Sequence, residues 1–418
     1  MTYNYIFEGR EFFLRKFKSI KLKESGKKMN EMRPIKCTIF RGGTSKGLYF
    51  LKNDLPSNPE LRDRVLLSIF GSPDKRQIDG LGGADPLTSK LAIVSPSKEK
   101  GIDIEYTFGQ VAIEEAKIFY QSMCGNITSG VGPFAINAGI VDAKEGITKV
   151  VMRNTNTGKK VIAEVPVKNG KASCVGDYEI AGVSGTSAKI LMDMAGTAGA
   201  LTGSLLPTGN VKDILTVPGV GKVEVSIVDC GACQIYVRAK DLGLKGIEEP
   251  KELDSQPDLL KKIEAIRAYA THVIGLTDTP NSASEVRRNT PHIALIAESQ
   301  GYKNFQNGEL IPEGSVDFVA RMLFMQIMHK TYAGTGSIAI SVASQIPGTI
   351  VNDAIKSIDM NKGYIRFGHP SGVIEVEVDV TKNENQYVVN RAAIGRTARM
   401  IMEGYVYVRE SVFENYGW

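Results

Sequence analysis

Histidine and cysteine are scarce in this chain, at four and five residues in 418. No grouping of His, Asp and Glu has the spacing of metal ligands. The one Cys-x-x-Cys, Cys230 to Cys233, has no second pair and no histidine near it, which is weak ground for zinc. An odd number of cysteines spread thinly over so long a chain makes no disulfide framework, so the expected compartment is the reducing cytoplasm. Apolar runs are short, and none approaches the ~20 residues that a helix needs to cross a bilayer. No Gly-x-Gly-x-x-Gly follows a strand-like run, which leaves a nicotinamide cofactor without support. The expectation is a protein that works with neither metal nor cofactor.

Unbalanced charge is missing from most of the chain as well. The formal net charge is +5, yet residues 1–28 hold eight Lys and Arg against three Glu, and the remainder carries 43 of each sign. With no basic stripe carrying interleaved aromatics, a nucleic-acid partner is not expected. The basic leader, residues 1–32, has Phe13, Phe17 and Ile20 at helical spacing between lysines, which would suit a membrane-surface helix. It lacks an apolar h-region and a small-residue cleavage site, and Met29 and Met32 stand just before the first strand-like run. An over-long start or a disordered arm is the expectation, with no membrane partner.

What is present is an ordinary globular composition, 42% hydrophobic and 23% charged, in a chain long enough for two or three domains. Its 43 glycines punctuate β-rich runs rather than forming a linker. Alternation and β-branching predict strands at Lys36–Phe40, Leu91–Val94, Lys149–Met152, Lys160–Val167, Val223–Val228, Ile235–Arg238, His292–Ala297, Tyr364–Phe367 and Val373–Val380. Helices are predicted at Asn58–Phe70, Thr186–Met194, Asp258–His272 and Val316–His329, and after Cys124 and Ala333.

The chain also repeats itself. Ile39 to Phe50 is echoed by Ile227 to Val237, and Lys90-Leu-Ala-Ile-Val94 by His292-Ile-Ala-Leu-Ile296. Cys124-Gly125-Asn126 and its small-residue helix are echoed by Ala333-Gly334-Thr335-Gly336-Ser337, and Thr157-Gly158 by Ser371-Gly372. The order is kept while the offset grows from about 187 to about 214 residues, as loop insertions in one half require. The reading is a duplicated two-domain protein joined near the turn-rich Gly203–Gly209: a first domain over 33–205, a second over 206–397, and a strand within 398–410 returning to the first. A cleft between two related domains is where small-molecule sites most often lie.

Three segments of the first half should converge there. Phe40-Arg-Gly-Gly-Thr-Ser-Lys-Gly47 follows a strand, lets the backbone approach a ligand, and offers the hydroxyls of Thr44 and Ser45. Gly80-Leu-Gly-Gly-Ala-Asp-Pro-Leu-Thr-Ser-Lys90 ends in a lysine at the mouth of an apolar strand. Lys90 is a candidate general base there, the plain alternative being a lysine that snorkels from a strand end. Cys124-Gly-Asn-Ile-Thr-Ser-Gly130 puts a thiol at a helix start, where unpaired N–H groups favour an anion; the alternative is a buried small apolar residue. Its repeat partner is Ala333, so a symmetric two-thiol mechanism is broken and Lys90 becomes the candidate for the other proton-transfer role. Gly125, Asn126 and Ser129 from one helix start, and Gly334, Thr335, Gly336 and Ser337 from the other, are candidate contacts for a ligand with two or more carboxylates. His369, in the polar turn Gly-His-Pro-Ser-Gly372, and Ser371 complete the candidate set. Cys230 and Cys233 occupy the repeat position of the Gly-Gly-Thr-Ser loop, where packing is the favoured reading.

The runs at 40–47, 82–90, 124–135, 329–336 and 368–372 together resemble the PrpF family, whose members include 2-methylaconitate cis-trans isomerase, 3-methylitaconate delta-isomerase and 4-oxalomesaconate tautomerase. The resemblance covers about residues 33–410. It implies an α+β, diaminopimelate-epimerase-like fold: two pseudo-symmetric domains, each a mixed β-sheet curled around a central helix, with the site in the cleft between them. It implies a cofactor-independent isomerase that moves a double bond in an unsaturated di- or tricarboxylic acid. The lysine matching Lys90 would be the base, the cysteine matching Cys124 a second acid/base or polarising group, and the serine matching Ser45 a substrate contact. Cys230-Gly-Ala-Cys233 departs from the family's turn. The rival readings are an amino-acid racemase or epimerase, against which the missing second thiol counts, and a non-catalytic accessory protein to an iron–sulfur dehydratase. Which acid is the substrate is not written in these motifs, and a homo-oligomer is neither specified nor excluded.

Overall fold

The computed structural model describes residues 31–120, 123–180, 182–288, 290–356, 362–384 and 386–414. Most of the basic leader thus lies outside the described residues. In the first half the chain forms β1 (Met32–Gly42), β2 (Ser45–Leu51), α1 (Pro59–Phe70), β3 (Lys90–Pro96), β4 (Ile104–Val111), α2 (Gly125–Asn137), β5 (Gly146–Asn154), β6 (Lys160–Lys168) and β7 (Ile190–Asp193). The second half has β8 (Asp213–Val217), β9 (Gly221–Cys230), β10 (Ala232–Arg238), α3 (Pro257–Val273), β11 (His292–Glu298), β12 (Phe318–Phe324), α4 (Gly334–Ser344), β13 (Tyr364–His369), β14 (Gly372–Asn383) and β15 (Gln386–Arg396). A last strand, β16 (Ala398–Arg409), follows.

Strand pairing makes one continuous ladder in the order β16, β1, β2, β3, β4, β5, β6, β7, β15, β14, β13, β12, β11, β10, β9, β8. The sense of pairing reads the same from either end. On each side of the antiparallel β7–β15 join, the parallel pairs are the equivalent β2–β3 and β10–β11, and β4–β5 and β12–β13. This is the two-fold pseudo-symmetry of the diaminopimelate-epimerase-like α+β fold. β16 runs antiparallel along β1, from Met32 opposite Arg409 to Gly42 opposite Ala398. It holds the place that β8 holds against β9.

Alternation sorts the side chains of each sheet into two cores. On β3, Ala92 and Val94 face an inner core built around α2 and α4, while Leu91 and Ile93 face an outer core under α1. In the second half Ala294 and Ile296 face inward, and Ile293 and Leu295 pack beneath α3. Outer helices start and stop by local chemistry. The Asn58 side chain accepts from Leu61 N–H, Pro59 opens α1, and Gly71 ends it at φ +74°.

Two expected helices are strands. Thr186–Met194 contains β7, paired to β6 and β15, with the Asp193 carboxylate accepting from Ala195 and Ala392 N–H. Val316–His329 contains β12, which folds back through Met325 and Gln326 at φ +51° and +68°. Both are apolar on two faces, the pattern for which a short run does not separate helix from strand. The second also turns without the glycine or asparagine that normally marks a tight hairpin. Among the described residues no helix is long and apolar enough to cross a membrane.

Candidate active site

The site is built where the two central helices begin. Cys124 is the N-cap of α2 and Ala333 that of α4, and neither start has a capping side chain. The first-turn N–H groups of both helices therefore point away from their own hydrogen-bond ladders. The two starts meet: a Cβ on Gly125 would stand 3.5 Å from Thr335 Cγ2 and 3.7 Å from Met194 Cε.

The glycine loop between β1 and β2 closes directly on the α2 start. A Cβ on Gly42 would lie 2.3 Å from the Asn126 carbonyl oxygen, and one on Gly43, at φ +51°, 2.2 Å from Asn126 Oδ1. That approach lets Asn126 Nδ2 donate to Thr44 Oγ1 at 2.8 Å and to Ser45 Oγ at 3.4 Å. Below the helix start, Tyr49 donates to the Ile127 carbonyl at 2.5 Å, and the Tyr106 hydroxyl lies 2.9 Å from Thr128 Oγ1. Burial holds both phenols above their usual range, and Cys124 adds to the effect on each.

Lys90 opens β3, opposite Gly47 of β2 and Gln110 of β4, on the face that carries Ala92 and Val94. It is only 8% exposed, so it does not snorkel into solvent. Its Nζ donates to Gln110 Oε1 and sits 5.4 Å from the Phe108 ring centre. Gln110 is pinned in turn by donating to the carbonyls of Pro86 and Ser89, so the 82–90 loop positions the Lys90 side chain through it. A Cβ on Gly47 would lie 2.8 Å from both the Lys90 carbonyl oxygen and Ile127 Cδ1, which places the Lys90 backbone beside the first turn of α2. The amine and the thiol frame the same end of the inner face without bonding each other.

Not every expected site residue faces the cleft. Ser129 Oγ donates to the Asn126 carbonyl and Ser337 Oγ to that of Ala333, so both hydroxyls are spent inside their helices. Gly336 is buried, whereas Gly334 and Thr335 are half-buried at the helix start. His369, 2% exposed, accepts from Ser371 N–H, and Ser371 Oγ bonds the Lys330 carbonyl. These two brace the segment leading into α4. Burial, with Arg321 and His329 nearby, pushes the His369 pKa down to about 3.

Cys230 and Cys233 lie on opposite faces of the β9–β10 hairpin, one in the inner core and the other under α3. They cannot chelate one ion together, and burial drives the Cys230 thiol up to about 12. The second half is also closed where the first is open. His292 matches Lys90 in register and packs edge-on against Phe324, which matches Gln110.

Gln110 and Arg396 were not legible beforehand. Gln110 acquires its role only from strand register. Arg396, at the end of β15, lays its guanidinium against Gly334, whose missing Cβ would stand 2.0 Å from Nη2. The loop around Tyr178 and Gly182 borders the same cleft, since Cβ atoms on Gly395 and Gly182 would meet Tyr178 OH at 2.2 Å and Thr44 Cγ2 at 3.3 Å.

A family model described as PrpF protein matches residues 32–409. The chain belongs to the PrpF family. It is 49% identical over 383 residues to 3-methylitaconate isomerase of Eubacterium barkeri, covering 92% of this chain and 99% of that protein. It is 37% identical over 387 residues to 2-methyl-aconitate isomerase of Shewanella oneidensis, covering 90% and 96%. A crystal structure of methylitaconate-delta-isomerase superposes with a TM-score of 0.88 at 48% identity, covering 93% of this chain and 99% of that one.

Proposed function

We propose that the protein is an isomerase that moves a double bond in an unsaturated di- or tricarboxylic acid by proton transfer, with 3-methylitaconate the first substrate to try. The observation that carries this reading is the uncapped start of α2, which bears a free thiol, with the backbone of the buried Lys90 next to its first turn. In 3-methylitaconate the methyl-bearing carbon carries one carboxylate and is bonded to the alkene carbon that carries the other, with the methylene at the far end of the alkene. Lys90 removes its proton, the electron pair shifts through the alkene, and the terminal methylene carbon takes a proton from Cys124 to become a methyl group. The double bond then lies between the two carboxyl-bearing carbons.

The dienolate formed on the way places extra negative charge on carboxylate oxygens. First-turn N–H groups of α2 and α4 aimed at those oxygens stabilise that state more than the substrate. Ala333 in the place of a second thiol disfavours symmetric racemisation, and free cysteines suit the reducing cytoplasm in which we place the enzyme.

The test is proton NMR of the purified protein in deuterated water with 3-methylitaconate, 2-methylaconitate, aconitate and oxalomesaconate, each offered alone. Conversion of at least one acid, with deuterium incorporated at the newly protonated carbon, is expected. If all four remain unchanged and exchange no protons, the reading fails.

A further inference from the structure

Arg396 is a cation at the cleft whose charge no carboxylate among the described residues answers. It ends β15, where Ala392 and Ile394 face the inner core, so by alternation its side chain continues along that face to the mouth. Arg391, on the opposite face of the same strand, pairs with Glu164, Asp193 and Glu377. Arg396 has no carboxylate partner among the described residues, and its one side-chain hydrogen bond goes to the neighbouring Gly395 carbonyl at 3.0 Å.

Its setting makes this costly. The guanidinium lies on Gly334, at the positive end of α4, and that end touches Gly125 at the positive end of α2. The next residue, Thr397, accepts from Gly43 N–H at 2.8 Å, which ties the strand end to the Gly-Gly-Thr-Ser loop. Burial lowers the guanidinium's pKa. Two uncapped helix starts and an unpaired fork of donors converge on one spot, and like-signed fields in a half-closed space are relieved by an anion.

We infer that Arg396 is a positioning residue that grips a substrate carboxylate remote from the reacting carbon, bidentately, and so selects acids with two or more carboxylates over monoacids. The inference rests on the function proposed above. It also assigns the work between the halves: the first supplies the proton-transfer groups, and the strand end crossing between them supplies the grip.

The probe is tricarballylate, a saturated tricarboxylate that cannot be isomerised, titrated calorimetrically into the full-length wild type, Arg396→Gln and Arg396→Lys. Loss of a charge-assisted bidentate contact should weaken binding about 10- to 100-fold in Arg396→Gln. Arg396→Lys, which keeps the charge without the fork, should fall between, and it decides alone if Arg396→Gln fails to fold. In turnover, Arg396→Gln should raise KM for the diacid far more than it lowers kcat, and should erase discrimination between 3-methylitaconate and its monomethyl esters. A merely structural role would lower the melting temperature and leave that discrimination intact. Equal tricarballylate affinity in wild type and variants overturns the inference while leaving an active isomerase in place. A wild type that binds tricarballylate through Arg396 but converts none of the acids retains the inference and removes the function. A wild type that does neither removes both.

Discussion

A lysine amine and a cysteine thiol on the inner face are the residues on which the proposed chemistry turns. One proton-transfer group contributes on the order of 10²–10⁴-fold to a rate. Lys90→Ala should therefore cut kcat by at least that much, while the fold, which Lys90 serves mainly through Gln110, survives by circular dichroism. Cys124→Ser should slow proton return and change deuterium incorporation, and an unaltered rate and exchange pattern would reduce the thiol to packing. His369 is a different case, because its pKa near 3 is a statement about stability. The unfolded chain binds a proton at the ordinary value of about 6.5 and the folded chain does not. Stability therefore falls as pH drops from 6.5 towards 3, by about 1.4 kcal/mol per pH unit for this one group. His369→Asn keeps an acceptor for Ser371 N–H but cannot titrate. Urea unfolding at pH 7 and pH 5 should show an acid-induced loss ~1–2 kcal/mol smaller in the variant; equal losses would mean that the histidine titrates freely in the fold.

Glycine at the β1–β2 turn and at the helix starts is what lets separate elements touch. Gly43 combines φ +51° with a Cβ position 2.2 Å from Asn126 Oδ1, so Gly43→Ala should push Asn126 off Thr44 and Ser45. A displacement of about 1 Å at such a point is worth on the order of 10²-fold in kcat/KM. Gly139→Ala is the matched control: its φ is +74°, with nothing within 4 Å of the new Cβ. It should cost only backbone strain of about 1 kcal/mol, read from the melting temperature, with kcat/KM unchanged. Similar activity losses in the two variants would show that strain, not the approach of the loop to the helix, is what matters.

For the molecule as a whole, the decisive feature is that the ladder has no break between the halves. β7 and β15 pair across the join, and Arg391 ties Glu164 and Asp193 of one half to Glu377 of the other. The first half is further completed by β16, the last strand in sequence. Truncation after Thr397 would leave β1 as an unpaired edge and uncover Ile35, Cys37 and the rest of the core beneath α1. The truncated chain should be insoluble or lack near-UV circular dichroism, whereas the full chain should lose both halves in one urea transition. A truncated chain that stays folded would mean that β16 is dispensable to the first core.

Local rules were enough for much of this protein. Asn58-Pro59 opening α1, the glycine-led starts of α2 and α4, and the repeat that matches Lys90 with His292 and Cys124 with Ala333 are all short-range patterns, visible in the chain itself. The PrpF motifs carried the fold class and the class of reaction. Tertiary structure decided whatever depends on pairing between distant segments. Ile190–Asp193 and Phe318–Phe324 are strands because strands far off in sequence satisfy their backbones, not because of their own propensity. The serines at 129 and 337 look like ligand contacts in sequence and are consumed by their own helices. Gln110 and Arg396 look like ordinary polar residues until register sets one against Lys90 and the other against Gly334. A side chain's type is written locally, but what it faces is fixed by pairing across hundreds of residues, and charge left unpaired there becomes visible only once the chain has folded.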